Sequence, residues 1–350
     1  MSIKLFRTIS IFIVAITCCV STYYFLKKPY FSIIVCSYNY GHFLEQTVES
    51  VLNSTFKNYE LIIVNDGSTD NTSEILKKYQ NHPKITIIEH ENMGLSLSRN
   101  KAMQLAKGKY FWFVDADDWI DKKALSALYK KTKNTELDMV SFYTSMVSSN
   151  GTFLGLNPYD KLPYPLELSP NSIYSINRLT VRDILTYPVT SGKQIYRREF
   201  IQKNKIDFPA RTLFEDDVFF LHTIFAGAKI SAIPSVLYYK RGHSSAITAD
   251  KPKHFDSFVR ICMYIWDRTH LFPQYDEKAT AVSNAYISNI PTRWNHLTTE
   301  RKYKFYSELL KFKRYVDSQP NNDYWKDKKL WFDGFLFSPD VDKFKSREIK

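Results

Sequence analysis

Three carboxylates stand where an apolar run of the chain ends. Residues 109–114 have the pattern of a buried strand, and Asp115-Ala116-Asp117-Asp118 follows directly. Uncompensated negative charge at the end of a hydrophobic sheet is costly, so the pattern predicts a cation there. An Asp-x-Asp pair supplies oxygen ligands to a hard divalent ion that bridges a substrate diphosphate. The alternative is that Asp117 or Asp118 caps the helix predicted after Asp121.

Strands and helices alternate four times before these carboxylates, and this alternation predicts how they are positioned. The predicted strands cover residues 31–39, 60–65, 84–89 and 109–114. Such alternation favours an α/β fold with a mainly parallel sheet that is covered on both faces. Ligands of such sheets bind beyond the carboxyl ends of the strands. We therefore expect Ser37, Asp66 and Asp115 along one rim.

Four motifs in this order resemble those of family 2 glycosyltransferases, which have the GT-A fold. They are SIIVCSYN (32–39), ELIIVNDGSTDNT (60–72), NMGLSLSRNKAMQLAKGKYFWFVDADDW (92–119) and LFEDDVFF (213–220). The resemblance covers residues 31–245. It implies an inverting enzyme that transfers a sugar from a nucleotide-diphosphate sugar, usually a UDP sugar, to an acceptor hydroxyl of a surface glycan, glycolipid or polysaccharide.

The resemblance also implies which residues bind the donor. Ser37 and Tyr38 match the positions that flank the uracil, and Asp66 matches the carboxylate that accepts a hydrogen bond from its imide. Arg99 matches a basic residue near the base and phosphates, and Asp115 matches the ribose contact. The alternatives are ordinary packing for Tyr38 and a solvated helix position for Arg99.

The second acidic motif supplies the predicted catalytic groups. Inversion needs a base that takes the proton of the acceptor hydroxyl, and Asp216 aligns with that base. Glu215 then orients the acceptor or the base, and Asp217 is an extra acid that leaves open which aspartate reaches the acceptor. The alternative is a cluster that caps the helix beginning near Val218.

Metal and phosphate contacts are implied for two further positions. Asp117 matches the ligand of Mn²⁺ or Mg²⁺ in the family. In the segment 238–248, Arg241 can bind phosphate oxygens through its fork of donors, and His243 can reach phosphate or metal. An arginine and a histidine on a loop are equally compatible with plain surface positions.

The amino terminus carries an uncharged stretch from Thr8 to Leu26 that is long enough to cross a bilayer as a helix. Lys4 and Arg7 precede it, and no small-x-small cleavage site follows. We interpret residues 1–28 as a single membrane anchor, with a cleaved signal peptide as the alternative. A sugar donor made in the bacterial cytosol places the catalytic domain on the cytoplasmic face of the inner membrane, whereas a eukaryotic chain could face the Golgi lumen.

Composition limits the remaining choices. A chain of 350 residues can hold one large domain and a smaller appendix. Its net charge of +12 fits a protein that binds pyrophosphate and rests on an anionic membrane, and no nucleic-acid-binding motif accompanies the charge. Its four cysteines show no metal or disulfide spacing, which indicates a reducing compartment.

Three regions follow from these patterns. Residues 29–248 are predicted to form the catalytic domain, and the polar stretch 144–178 is an acceptor-side insertion. Residues 249–350 are predicted to be helical, basic and aromatic. A stripe that includes Phe258, Cys262 and Trp266 is expected to pack on the catalytic domain, with contact to membrane or acceptor as the alternative.

Two other functions share parts of this pattern. A nucleotidyltransferase would need a glycine-rich basic loop after the first strand, and residues 37–42 are not such a loop. A non-catalytic sugar-nucleotide-binding protein would retain the fold and lose the acids, all of which are present.

Overall fold

Among the described residues, nine strands form one mixed sheet in the region predicted to be catalytic (29–248), which is called the catalytic part below. The computed structural model describes residues 28–149, 151–156, 172–187, 189–210, 212–244, 256–319 and 323–342. The strands are β1 (Phe31–Ser37), β2 (Tyr59–Asp66), β3 (Ile85–His90), β4 (Tyr110–Asp115), β5 (Trp119–Ile120), β6 (Met139–Val147), β7 (Phe153–Leu156), β8 (Gln194–Arg197) and β9 (Ile230–Arg241).

The first four strands form the parallel half of this sheet. They are adjacent in the order β3-β2-β1-β4, and each pair is parallel. Successive residues of β1 point to opposite faces: Ile33 contributes to the core on one side and Ile34 to the core on the other. Burial on both faces explains the apolar runs of β1, β2 and β4, whereas the edge strand β3 is only partly buried. The four strands predicted from the sequence are confirmed.

The second half of the sheet corrects the prediction of a mainly parallel arrangement. β8 is antiparallel to β4 and to β6, β5 is antiparallel to β9, and β7 is antiparallel to β6, whereas β6 and β9 are parallel. The predicted alternation of strand and helix ended at Asp115. Nothing in the sequence pattern after that residue specified strand direction, because antiparallel pairs need no crossover helix.

Helices cover the sheet and continue beyond it. In chain order they are α1 (Gly41–Leu52), α2 (Thr72–Lys77), α3 (Leu95–Leu105), α4 (Ala124–Thr132), α5 (Val181–Thr186), α6 (Arg198–Lys203), α7 (Glu215–Phe225), α8 (Asp256–Thr269), α9 (Asp276–Ile287), α10 (Ile290–Asn295), α11 (Thr299–Ser318), α12 (Asp323–Leu336) and α13 (Pro339–Asp342). Of the predicted insertion at 144–178, β6 runs to Val147 and β7 pairs with it, whereas 150 and 157–171 lie outside the described residues.

The carboxyl-terminal region is helical, as predicted, and it has a core of its own. Phe258, Val259 and Cys262 of α8 join the residues of α11 and α12 in that core. The opposite face of α8 contributes Ile261 and Ile265 to the core of the catalytic part. The predicted aromatic stripe therefore builds the carboxyl-terminal core and meets the catalytic part at Phe214, while aliphatic residues of the same helix pack into the core of the catalytic part.

The predicted membrane anchor comprises residues 1–28. All of it except Lys28 lies outside the described residues. Within the ranges that the structure describes, no helix combines the length and the apolar character needed to span a bilayer. The anchor remains a prediction.

Candidate active site

One pocket of about 570 Å³ opens at the carboxyl ends of the parallel strands. Ser37, Asp66 and Asp115, which end β1, β2 and β4, all line it. The parallel register places Cys36 opposite Asp115, so the strand ends are level with each other. All but one of the other predicted site residues also line this pocket: Tyr38, Arg99, Asp117, Glu215, Asp216, Asp217 and Arg241. The exception is His243, which lies next to the pocket and contacts Asp117.

Asp66 organises the loop that begins α3. Its carboxylate accepts hydrogen bonds from the backbone N–H groups of Met93 at 2.8 Å and Gly94 at 3.0 Å. Gly67 follows with φ of 72°, a conformation that suits glycine. A carboxylate held by two backbone donors keeps one orientation, so Asp66 can present its remaining acceptor capacity to a ligand.

Arg99 connects the donor side of the pocket with the acidic motif. Its side chain is buried and pairs with Asp115 at 3.0 Å, Glu215 at 2.9 Å and Asp216 at 2.9 Å. Its guanidinium also lies 5.1 Å from the ring centre of Phe208. Burial opposes the charged form, but the carboxylates outweigh it and raise the pKa of Arg99. The solvated position considered from the sequence is therefore wrong.

The acidic motif forms the first turn of α7 and begins after a strained residue. Phe214 precedes it with φ of 68°, which is unusual for a residue other than glycine. No side chain caps this helix, so the capping alternative is wrong. Burial, and next the charge of Asp216, raises the pKa of Glu215 to about 8. Arg99 opposes this shift, since it donates a hydrogen bond to Glu215 Oε1 at 2.9 Å.

The two aspartates of the motif point to different partners. Asp216 pairs with Arg99 on the pocket side. Asp217 accepts a hydrogen bond from the hydroxyl of Tyr286 in α9. Burial, followed by the charge of Asp216, raises the pKa of Asp217 to about 7. Both aspartates line the pocket, and which of them reaches an acceptor stays a prediction.

The Asp-x-Asp segment brings three carboxylates together. One oxygen from each of Asp115, Asp117 and Asp118 lies within 4.8 Å of the others. Burial is the largest cause that raises the pKa of Asp117 and of Asp118, and the neighbouring carboxylates add to it. A hard divalent cation would offset this repulsion, so the residues fit the implied ion.

Asp118 and Asp117 have different hydrogen-bond partners. Asp118 is buried and accepts hydrogen bonds from Tyr238 Oη at 2.7 Å and from the backbone N–H of Arg241 at 2.8 Å. Asp117 Oδ2 lies 2.8 Å from Nε2 of His243. α4 begins after Lys123 without a side-chain cap, so neither aspartate caps it. His243 adjoins the carboxylate cluster through Asp117, and its role as a ligand stays a prediction.

Arg241 is held by the protein itself. Its guanidinium donates to the carbonyl oxygens of Asp117 at 3.0 Å and Ser149 at 2.9 Å, and also to Gln46 Oε1. The same group lies 4.6 Å from the ring centre of Phe43. These contacts join β9 to the Asp-x-Asp segment. The phosphate contact assigned to Arg241 would need part of this set to rearrange and remains a prediction.

Lys240 is a pocket residue that the sequence reasoning missed. It lines the pocket, on the same face of β9 as Tyr238. Burial lowers its pKa, but the carboxylates of Asp118, Asp115, Asp117 and Asp216 outweigh burial and raise it. The sequence signal for this position was the two-residue spacing between Tyr238 and Lys240, because alternate residues of a strand lie on the same face of the sheet.

Two polar side chains of the pocket differ in exposure. Ser37 is buried, and its hydroxyl has no hydrogen-bond partner among the described residues. Tyr38 is 47% exposed at the pocket, so the packing alternative considered for it is wrong. A buried unsatisfied hydroxyl beside an exposed ring is consistent with a site that a polar heterocycle completes.

The fold and the carboxylates at its strand ends place the protein among the GT-A nucleotide-diphosphate-sugar transferases. The crystal structure of S. aureus TarS 1–349 in complex with UDP-GlcNAc matches it with a TM-score of 0.64 at 20% identity, over 90% of this chain and 91% of that one. At this identity the match shows the fold.

A family model matches part of the sequence. Residues 32–204 match the model of "Glycosyl transferase family 2". The match covers just under half of the chain and confirms the resemblance predicted from the motifs. The second acidic motif, residues 215–217, lies beyond the matched segment.

Two curated relatives illustrate the match. The cholesterol galactosyltransferase of Borreliella burgdorferi is 32% identical over 213 residues, which cover 59% of this chain and 58% of that protein. Glycosyltransferase GlyG of Streptococcus pneumoniae is 22% identical over 318 residues, 86% of this chain and 96% of that protein. The chain thus spans little more than half the length of the first of these relatives.

Proposed function

We propose that this protein transfers a sugar, with inversion, from a UDP sugar to an acceptor hydroxyl of a surface glycan, a glycolipid or a polysaccharide. The observation that carries the proposal is the position of Arg99. Its guanidinium bridges Asp115, the expected ribose contact, and Asp216, the expected base. One buried cation thereby sets the distance between donor and base.

The donor residues act by position and charge. Asp66 and Ser37 provide polar contacts for the base of the nucleotide, and Asp115 provides one for its ribose. Mn²⁺ or Mg²⁺ held by Asp117, with Asp115 nearby, would offset the negative charge of the diphosphate as it leaves. Lys240 adds a cation on the same side of the pocket.

Asp216 is the general base of the proposal. Its carboxylate takes the proton of the acceptor hydroxyl while that oxygen attacks the anomeric carbon, and the bond from this carbon to the diphosphate breaks. Arg99 holds the Asp216 carboxylate in place through their 2.9 Å contact. Glu215 is buried beside it and orients the acceptor or the base.

Donor and acceptor classes have separate support. TarS was crystallised with UDP-GlcNAc, which supports a UDP sugar. The name of the Borreliella relative denotes a sterol as acceptor, which supports a lipid acceptor. We further propose that residues 1–28 anchor the protein in a bacterial inner membrane with the catalytic part in the cytoplasm.

A donor screen tests the reaction class. Purified protein is incubated with a panel of nucleotide sugars and Mn²⁺, and products are followed by mass spectrometry. Release of a nucleoside diphosphate supports glycosyl transfer. Release of pyrophosphate from a nucleoside triphosphate would indicate a nucleotidyltransferase, and binding without turnover would indicate a non-catalytic protein.

Asp216→Asn tests the assignment of the base. The amide keeps the shape of the side chain and removes its basicity, so turnover should fall by roughly two to four orders of magnitude, the usual contribution of a positioned base. Affinity for UDP should change little. The base would have to be reassigned if Asp217→Asn lost turnover to this extent and Asp216→Asn did not.

A further inference from the structure

The residue before the acidic motif joins two cores. Phe214 packs against the core of the catalytic part and also against the core of the carboxyl-terminal helices. Its φ of 68° is strained for phenylalanine, and such a conformation persists only where the surroundings hold it. The direction in which α7 starts, and with it the position of Asp216, therefore depends on what holds Phe214.

Residues of the carboxyl-terminal helices provide that support. The guanidinium of Arg293, in α10, lies 5.7 Å from the ring centre of Phe214 and 4.5 Å from that of Phe258 in α8. The two rings meet edge to face at 6.2 Å. Phe258 stacks in turn on Tyr286 of α9 at 6.1 Å. Three helices outside the catalytic sheet thus converge on one side of Phe214.

A hydrogen bond links the same helices to the other end of the motif. Asp217 follows Asp216 directly and accepts from the hydroxyl of Tyr286. The positive charge of Arg293 also acts on this carboxylate. The two neighbours in sequence of the Glu215-Asp216 pair are therefore both in contact with the carboxyl-terminal helices, while Arg99 holds the pair from the pocket side.

We propose that Tyr286 and Arg293 are positioning residues for the reaction, and that they act on Asp216 through Asp217 and Phe214. This inference rests on the proposed function, because it assigns a task to the base named there. The carboxyl-terminal helices then serve the proton-transfer step. The donor residues Asp66, Asp115 and Asp117 lie on other elements and have no contact with these helices among the described interactions.

The consequence is a change in turnover at unchanged donor affinity. Tyr286→Phe removes one hydroxyl and keeps the stacked ring, and Arg293→Met removes the cation and keeps the length of the side chain. Each variant should lower kcat for transfer by about tenfold or more, the usual effect of displacing a catalytic group slightly. The dissociation constant for UDP and the KM for the donor should stay within about twofold of the unaltered protein.

Lys313→Met is the matched control. Lys313 lies in α11 and pairs with Asp317 and Asp333 within the carboxyl-terminal region, far along the chain from Phe214. The control removes a cation from the same region without contact to the acidic motif. Its kcat should match that of the unaltered protein.

Combination with Asp216→Asn separates positioning from a general loss of structure. If Tyr286 acts through Asp216, the double variant should keep the residual rate of Asp216→Asn within about twofold. A further loss of about tenfold in the double variant would show that Tyr286 affects the rate by another route and would overturn the proposal. If Arg293→Met does not fold, Tyr286→Phe alone decides the matter.

The outcomes also separate this inference from the proposed function. Absence of UDP binding and of sugar transfer in the unaltered protein would refute the proposed function itself. Normal transfer by both Tyr286→Phe and Arg293→Met, with an active unaltered protein, would refute only the inference. A parallel rise in the KM for the donor would also refute it, because the helices would then act on donor binding.

Discussion

Arg99 shows how one residue can define a site. Its guanidinium reaches Asp115 on β4 and the acidic motif on α7, which are about a hundred residues apart in the chain. Substitution of a buried arginine that has several carboxylate partners would leave those carboxylates buried without a compensating positive charge. The acids therefore form two groups around a cation: Asp115, Asp117 and Asp118 on the side proposed for the donor, and Glu215 and Asp216 on the side proposed for catalysis.

Asp117→Asn is expected to abolish metal-dependent binding of the donor. The amide offers a neutral oxygen where the ion needs an anionic ligand. Calorimetry with UDP in the presence and absence of Mn²⁺ measures the effect. Asp121→Asn is the control, since Asp121 lies near the motif and does not line the pocket. Equal affinity of the Asp117 variant and the unaltered protein would remove Asp117 from the metal site.

Lys240→Met is expected to weaken UDP binding by about tenfold, the contribution of one charge-assisted contact to a diphosphate. The effect should be larger without Mn²⁺, because fewer cations then face the phosphates. Titration of UDP with and without EDTA measures both affinities. Lys229→Met provides the control, since Lys229 precedes the same strand and is exposed at its other end. Unchanged affinity under both conditions would show that Lys240 only balances the carboxylates.

Asp217 should make the stability of the protein depend on pH. Burial raises the pKa of this carboxyl from 3.8 to about 7 in the folded chain. Between these values the folded chain holds a proton that the unfolded chain has lost, so this contribution to stability decreases as the pH rises from about 4 to about 7. In Asp217→Asn the decrease in Tm over this range should be smaller. Identical decreases in thermal unfolding experiments would show that Asp217 does not titrate in this way.

At the scale of elements, the loops after the parallel strands determine the geometry of the pocket. Asp66 ends β2, Gly67 turns the chain, and the loop before α3 returns its backbone N–H groups to the Asp66 carboxylate. The turn is tight, because a Cβ atom on Gly67 would lie 2.5 Å from the backbone nitrogen of Asn92. The strand end and the helix start therefore hold each other in place.

Gly67→Ala is expected to destabilise the protein and weaken UDP binding. Alanine at positive φ costs about 1–2 kcal/mol, and here the backbone of Asn92 must also move. Gly227→Ala is the matched control, since Gly227 has φ of 86° and a Cβ atom added there would meet no described atom within 4 Å. Denaturant unfolding of both variants separates the two costs. Equal losses of stability would mean that the close approach at Asn92 does not matter.

At the scale of the whole molecule, two of the carboxyl-terminal helices also pack into the core of the catalytic part. α8 and α9 contribute Ile261, Ile265, Ala279 and Val282 to the core under α7. Removal of these helices would expose apolar surface on the underside of the acidic motif. The helices therefore cannot be treated as a separate appendix.

Deletion of residues 1–28 is expected to leave a folded protein that binds UDP. The contacts of the catalytic part begin with Pro29, whose carbonyl oxygen accepts from the backbone of Lys109 at 3.3 Å. Circular dichroism and calorimetry with UDP measure the result. Deletion of residues 1–33 is the control, since it removes the buried residues Phe31 and Ile33 of β1 and should prevent folding. Loss of structure in the shorter deletion would assign the first 28 residues to the fold.

The sequence by itself determined the elements that depend on local pattern. Apolar runs identified β1, β2 and β4, because strands buried on both faces are rich in apolar residues, and the β-branched run of β3 identified the edge strand. The carboxyl-end rule then placed Ser37, Asp66 and Asp115 on one rim, and the motifs identified the family.

The tertiary structure decided what depends on contacts between distant residues. The partners of Arg99, the inward position of Lys240 and the different directions of Asp216 and Asp217 follow from packing between elements far apart in the chain. The antiparallel half of the sheet also depends on contacts between distant residues, since β8 pairs with β4 across some eighty residues. A local pattern specifies which face of a strand or helix is apolar, but the packing of the whole chain selects which groups that face meets.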